Sequence, residues 1–296
     1  MKKAAKCVIC LGRLNNDDFK VKDSLVSGDY FSILECKNCG LGHTCPVPAE
    51  HNLGYYYKSV EYFSHTDKPR SLLQVVYQHV RKIMITKKIG FINKYSKNGK
   101  RILDYGCGTG DFLAKCVEKG WGACGLEPAI DARKIAEKSH NIKIADNLNE
   151  LEHAETETFD VITLWHVIEH VYNLNETMIR LKKLLSENGV LVLAVPNRES
   201  YDAKHYKTKW GGYDVPRHLH HFNDKAIQSL AKRHGLIVID RKPLIFDSFF
   251  VSLLSENQKF FPLRAVKALI IGSVSNIRAF FGLNPYSSLV YFLQSQ

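Results

Sequence analysis

The stretch Leu103-Asp104-Tyr105-Gly106-Cys107-Gly108-Thr109-Gly110-Asp111-Phe112 decides the fold. Its first residues belong to a short apolar run, Arg101–Tyr105, and a helical pattern follows it. Alternate glycines let the backbone pass close to a ligand, and the helix behind them presents free N–H groups. A dinucleotide site needs glycine at the sixth position of G-x-G-x-x-G, where this chain has Asp111. A carboxylate there repels a pyrophosphate, so the loop suits a ligand without phosphates and with a cationic end. Glu127 closes the next expected strand, 21 residues after Gly106, where a carboxylate can accept both hydroxyls of a ribose.

Outward from the loop, short apolar runs alternate with helical segments, which implies βαβ units, an α/β fold and a parallel sheet. The expected strands are Arg101–Tyr105, Ala123–Glu127, Ile142–Ala145, Asp160–Leu164, Val190–Pro196 and Leu236–Arg241, with Ser288–Leu293 as a final one. Gly122, Gly189 and Gly235 mark helix-to-strand turns. Upstream, Leu72, Leu73, Val75, Val76, Val80, Ile83 and Met84 recur at helical spacing. Three parts follow: a cysteine-bearing module at 1–50, a helical linker or lid at 51–99, and a large domain at 100–296 with an apolar insert at about 249–282.

The chain has 296 residues, 45% hydrophobic and 24% charged, an ordinary globular composition that excludes disorder and collagen-like structure. Its 41 basic and 30 acidic residues leave a net charge of +11, which suits an anionic partner without choosing among nucleic acid, lipid surface and small molecule. No segment approaches the roughly 20 apolar residues that cross a bilayer, and the N-terminus lacks a signal-peptide core, so a cytoplasmic protein is expected. Eight cysteines are too few for a disulfide scaffold. Four of them form Cys7-x-x-Cys10 and Cys36-x-x-Cys39, each pair followed by a glycine, which reads as a zinc ribbon with a closed, structural Cys₄ site.

The loop with Asp104, together with Gly125-Leu126-Glu127, Phe159-Asp160-Val161-Ile162 and His166-x-x-Glu169-His170-Val171, resembles the motifs of class I S-adenosylmethionine-dependent methyltransferases. The likeness covers about residues 100 to 240. It implies a Rossmann-like seven-stranded sheet whose last strand runs antiparallel. It also implies S-adenosylmethionine as cofactor, with Asp104, Gly106, Cys107, Gly108 and Gly110 at its methionine end and Glu127 on its ribose. Asp146 or Asn147 would lie near adenine, and Trp165 and His166 would face the methyl group. The Glu169-His170 pair is similar to that of methyltransferases acting on small molecules, including quinone-type O-methyltransferases, some of which carry a carboxylate at the position of His166.

A hydroxyl or activated carbon acceptor needs a base, for which histidine titrates in the right range. His166 is the first candidate, with His170 and His218 beside it. His218 lies in Pro216-Arg217-His218-Leu219-His220-His221-Phe222, where His218 or Arg217 could hold an acidic or hydroxylated substrate, or Arg217 could pair with a carboxylate while His221 packs in the core. Tyr55-Tyr56-Tyr57, with Tyr62 and His65, could wall the site. The segment Phe260–Phe281 reads either as a helix covering the site or as an amphipathic segment in peripheral contact with a membrane. The expected function is methyl transfer to oxygen or carbon of a small, partly apolar acceptor. The alternative is an RNA methyltransferase gripping phosphates with its zinc module and basic surface.

Overall fold

A computed structural model describes residues 6–15, 19–57, 72–96, 99–140, 142–154, 158–256 and 260–296. The strands are β1 Lys20–Lys22, β2 Tyr30–Glu35, β3 Gly42–Cys45, β4 Arg101–Tyr105, β5 Gly122–Leu126, β6 Ile144–Ala145, β7 Phe159–Trp165, β8 Leu185–Pro196, β9 His220–His221, β10 Leu236–Pro243 and β11 Ser288–Ser295. The helices are α1 Leu53–Tyr56, α2 Leu72–Tyr95, α3 Asp111–Glu118, α4 Ile130–His140, α5 Leu148–Ala154, α6 Leu174–Leu184, α7 Tyr201–Tyr206, α8 Asp224–Arg233, α9 Asp247–Ser255 and α10 Phe261–Phe280. Tyr62 and His65 lie outside the described residues.

Seven strands form one sheet in the order β10-β11-β8-β7-β4-β5-β6. Strand β11 runs antiparallel to both β8 and β10, while β4 pairs in parallel with β5 and β7. This is the α/β sheet with an antiparallel last strand that the motifs imply. Both faces are covered, so the strands carry continuous apolar runs instead of alternating ones. In β8, Leu191, Leu193 and Val195 face one core, and Val190, Val192 and Ala194 face the other. Strand β8 begins earlier than its sequence suggests: Leu185 pairs with Phe159, and the register then shifts so that Val190 meets Val161. Ser186–Gly189 form an irregularity in the ladder where a simple turn was expected. Strand β6 is shorter than expected, because only Ile144 and Ala145 find partners on β5.

A second, four-stranded sheet has the order β1-β2-β3-β9. Its last strand comes from residues 220–221, so the cysteine ribbon is completed by the large domain. The knuckles also pack into the main core, where Cys7, Ile9, Cys36, Cys39 and Leu41 share one apolar cluster with Ala226, Ile227 and Leu230 of α8. Arg233 donates to the Ile9 carbonyl (2.6 Å) and Asn175 to that of Val8 (2.6 Å), which ties the first knuckle to α8 and α6.

The strongest link between ribbon and sheet is ionic. Arg217 is buried, and its guanidinium meets Asp214 at 2.6 Å and Asp23 at 3.1 Å, while also donating to the Tyr56 carbonyl at 2.9 Å. Arg217 therefore has no free face for a substrate, which corrects that reading. It pairs with carboxylates and fixes the segment that carries His218. Among the described residues, no helix is long and apolar enough to cross a membrane.

Removing one partner of a buried pair strands the other charge. Arg217→Ala should lower the unfolding free energy by about 3–5 kcal/mol in denaturant titrations. Adding Asp23→Ala should recover part of that loss, and equal losses in the single and double variants would refute the pairing.

Candidate active site

The glycine loop leaves the carboxyl end of β4 and bends over the sheet. Gly106, Gly108 and Gly110 all have positive φ, at 77°, 55° and 81°. A Cβ on Gly106 would stand 2.5 Å from Val167, whereas one on Gly108 would meet nothing within 4 Å. Gly108 thus borders open space in a conformation that only glycine adopts cheaply. Cys107 packs its sulfur against Gly125, where a Cβ would approach it to 2.7 Å. The Gly108 N–H donates to Glu127 Oε2 at 2.9 Å, so the Glu127 carboxylate reaches the loop. Asp146 and Asn147 follow β6 and are both exposed.

Asp104 lies beneath the loop, 3% exposed, and accepts a hydrogen bond from Thr163 Oγ1 at 2.5 Å. Burial pushes its carboxyl up to about 7, against the opposing effects of the Thr163 hydroxyl and the Lys88 ammonium. Lys88 comes from α2, and its Nζ sits 4.4 Å from the centroid of the Trp165 ring. Burial lowers the Lys88 pKa, while Asp104 and Asp247 oppose that shift. Arg81, about two turns earlier on the same helix, donates to Asp111 at 2.5 Å and to Thr109 at 3.2 Å. The charge on Asp111 is therefore compensated by α2.

Trp165 and His166 stand at the carboxyl end of β7, and the buried indole Nε1 of Trp165 has no partner among the described residues. His166 has a positive φ of 57°. Its Nε2 lies 2.9 Å from Asp247 and its Nδ1 lies 3.4 Å from Glu169. Burial works against its charge, yet Asp247 and then Glu169 raise its pKa to about 10. An imidazolium has no lone pair with which to accept a proton. In this geometry His166 is held as a cation between Asp247 and Glu169.

Glu169 is 1% exposed, and neither carboxylate oxygen receives a well-aligned hydrogen bond from the described residues. Burial would raise its pKa, but His166, His218 and His170 together hold it below the usual value. His170 Nδ1 lies 3.1 Å from the Arg217 carbonyl and 3.0 Å from the Tyr57 hydroxyl. His218 Nδ1 lies 2.9 Å from the Gly212 carbonyl. A carbonyl only accepts, so each histidine donates to it from Nδ1. Burial and the neighbouring His218 lower the His170 pKa to about 4. One ligating atom each from Glu169, His170 and His218 falls within 4.8 Å of the others, and this donor set could also hold a divalent metal.

The sequence brought forward His166, His170 and His218 but missed Asp247, Lys88 and the part played by Tyr57. Asp247 follows β10 at the carboxyl edge of the sheet, where such folds gather ligands, and that position was its one signal. Lys88 gave none, because its placement depends on where α2 docks.

The thiols of Cys7, Cys10, Cys36 and Cys39 also lie within 4.8 Å of one another and form no disulfide. Cys7 and Cys39 are 3.5 Å apart at sulfur, and Cys10 and Cys36 are 3.3 Å apart. Tetrahedral zinc with bonds of about 2.3 Å would space its sulfurs at about 3.8 Å, so the four thiols fit a zinc ion.

Residues 77–240, more than half of the chain, match the model of the methyltransferase domain family. The chain belongs to that family, and its fold is that of a class I S-adenosylmethionine-dependent methyltransferase. It is 33% identical over 123 residues to the ubiquinone biosynthesis O-methyltransferase of Glaesserella parasuis serovar 5 (strain SH0165), covering 38% of this chain and 52% of that protein. It is 29% identical over 165 residues to the protein of the same name from Rhodopseudomonas palustris (strain HaA2), covering 51% and 63%. The chain thus spans little more than half the length of these curated relatives. Among solved structures, the magnesium protoporphyrin IX methyltransferase from Synechocystis PCC 6803 with bound S-adenosylhomocysteine matches with a TM-score of 0.51 at 11% identity, over 78% of this chain and 90% of that one. That likeness shows the fold.

An acid whose pKa is raised by folding makes the unfolded state lose its proton first, so it costs stability as pH rises. For Asp104 that cost grows from about pH 4 and is complete above about pH 7. Asp104→Asn should match the wild type in thermal unfolding at pH 4 and exceed it at pH 8, by an amount on the order of a few kcal/mol. A pH-independent difference would contradict a strained carboxyl at this position.

Proposed function

We propose that the protein transfers the methyl group of S-adenosylmethionine to a hydroxyl oxygen of a small, partly apolar acceptor. The observations that carry this reading are two. The glycine loop over buried Asp104 borders open space and reaches Glu127, and the cluster of Glu169, His170 and His218 begins just after β7, the strand that pairs with β4. When bound, the cofactor supplies an electrophilic methyl group on a sulfonium, a good neutral leaving group. The chain's task is to align the acceptor and take up its proton.

The Gly106–Gly110 loop would hold the methionine end, with Asp104 under its ammonium. Glu127 would exchange its bond to the Gly108 N–H for the ribose hydroxyls. Asp146 or Asn147 would lie beside adenine. The face of Trp165 already accommodates the Lys88 ammonium, so it suits a sulfonium equally well. His170 and His218 would receive the hydroxyl proton at Nε2. His166, just after β7, acts as a positioning residue through its contacts with Asp247 of α9 and with Glu169. An oxygen acceptor is favoured over carbon because the curated relatives are named O-methyltransferases.

Calorimetry with S-adenosylmethionine or S-adenosylhomocysteine tests the cofactor part, and the absence of heat with both would defeat it. A panel of catechols and phenols, read by S-adenosylhomocysteine release and by acceptor mass, tests the acceptor part. His170→Ala should lower kcat by about 10²–10⁴-fold while leaving cofactor affinity within a factor of about two. A fall in cofactor affinity with unchanged kcat would reassign His170 to binding.

Zinc in the ribbon should be structural, since all four positions of a tetrahedral site would be filled by thiolates. Mass spectrometry under native conditions should find one zinc per chain, and Cys36→Ser should lose both the metal and thermal stability. A metal-free chain with the same melting temperature as Cys36→Ser would remove the zinc.

A further inference from the structure

Helix α10 is built inside out. Its inward face carries the small residues Ala268, Gly272 and Ser275, all buried. Its outward face carries Leu263, Val266, Ile270, Val274 and Ile277, spaced by three or four residues along about 21 Å of helix. Leu263, Val266, Ile270 and Ile277 are each 47% to 56% exposed. Phe280 and Phe281, at the end of the helix, are 76% and 70% exposed. A surface helix normally shows the opposite arrangement.

The helix cannot turn this face inward, because its polar side chains are already bonded to the fold. Ser275 donates to Asp202 at 2.7 Å, and Asn276 donates to the Ile245 carbonyl and to Ser248, each at 2.9 Å. A Cβ on Gly272 would stand 2.6 Å from the Phe249 ring, so α9 and α10 meet closely there.

Charge indicates what covers the face. From Asn257 to Gln296 the sequence has four basic residues, Lys259, Arg264, Lys267 and Arg278, and no acidic one. At about 100° per residue, Lys267 and Arg278 lie along one flank of the apolar row. Arg278 is held over the ring of Tyr201 in α7, and Lys204 and Lys207 follow in the same neighbouring segment. A second copy of the chain would set these cations against each other, whereas anionic headgroups would complement them.

We propose that the outer face of α10 rests in the interface of an anionic lipid bilayer, with the apolar row among the acyl chains and Lys267 and Arg278 at the headgroups. This is contact in the plane of the membrane and not a span. It stands independently of the methyl-transfer reading. It also gives that reading a geometry, because α9, the partner of α10, begins at Asp247, which is bonded to His166 in the site.

Flotation of the full chain with phosphatidylcholine vesicles, with and without phosphatidylglycerol, tests the proposal. The wild type should float with the phosphatidylglycerol vesicles, and high salt should weaken the association. The exposed pair Ile270→Gln and Ile277→Gln should reduce binding at least about tenfold with an unchanged melting temperature. Lys267→Glu should weaken binding to the anionic vesicles only. A wild type that stays in the soluble fraction, or variants that float as well as it does, would overturn the proposal. So would a dimer in sedimentation that the Ile270→Gln change dissociates in the absence of vesicle binding, since the face would then belong to a second copy. Calorimetry with S-adenosylmethionine on the same variants keeps a failure here separate from a failure of the cofactor reading.

Discussion

A carboxylate with almost no exposure has to be surrounded by positive charge or by donors, and Glu169 sets that demand at the centre of the molecule. Three histidines stand around it, and His166, kept charged by Asp247, supplies the positive partner. His166 turns toward it through a left-handed backbone conformation, His170 follows it directly, and His218 arrives from a segment nearly fifty residues away. Each of these placements has its own support. Asp247 holds His166, the Arg217 carbonyl holds His170, and the Gly212 carbonyl holds His218.

The support for His218 reaches furthest. Arg217 is committed to Asp23 and Asp214, so the ribbon at the N-terminus helps to fix the histidine segment of the large domain. Strand β9 continues the same join by completing the ribbon's sheet. A cysteine site at one end of the chain is thereby linked to the candidate acceptor pocket. Its structural role does not require any contact between metal and substrate. Helix α2 makes a parallel link on the cofactor side, where Arg81 neutralises Asp111 and Lys88 lies against Trp165.

The α9–α10 hairpin shows how one element can serve two surfaces. Small and hydroxylated residues let the helices approach closely, and the Ser248, Ser275 and Asn276 side chains find partners inside the fold. The bulky apolar residues are left outside. The sequence showed that this segment is apolar and basic, and left two readings open. Only the packed helix reveals which residues face inward, because a helix with small residues on one side and large ones on the other satisfies the same composition either way.

The sheet was legible because its causes are local. Apolar runs of strand length, glycines at turns, and the spacing from Gly106 to Glu127 each constrain a few neighbouring residues, and the parallel order follows from the alternation. The two cysteine pairs were legible for the same reason. What tertiary structure alone decided were the charge states and partners. His166 read as a candidate base in sequence, and the approach of Asp247, 81 positions later, holds it as a cation. Arg217 read either as a substrate holder or as a carboxylate's partner, and the approach of Asp23 decides for the second. Electrostatic partners act through space across the folded chain, and residue type and local spacing carry no record of that distance.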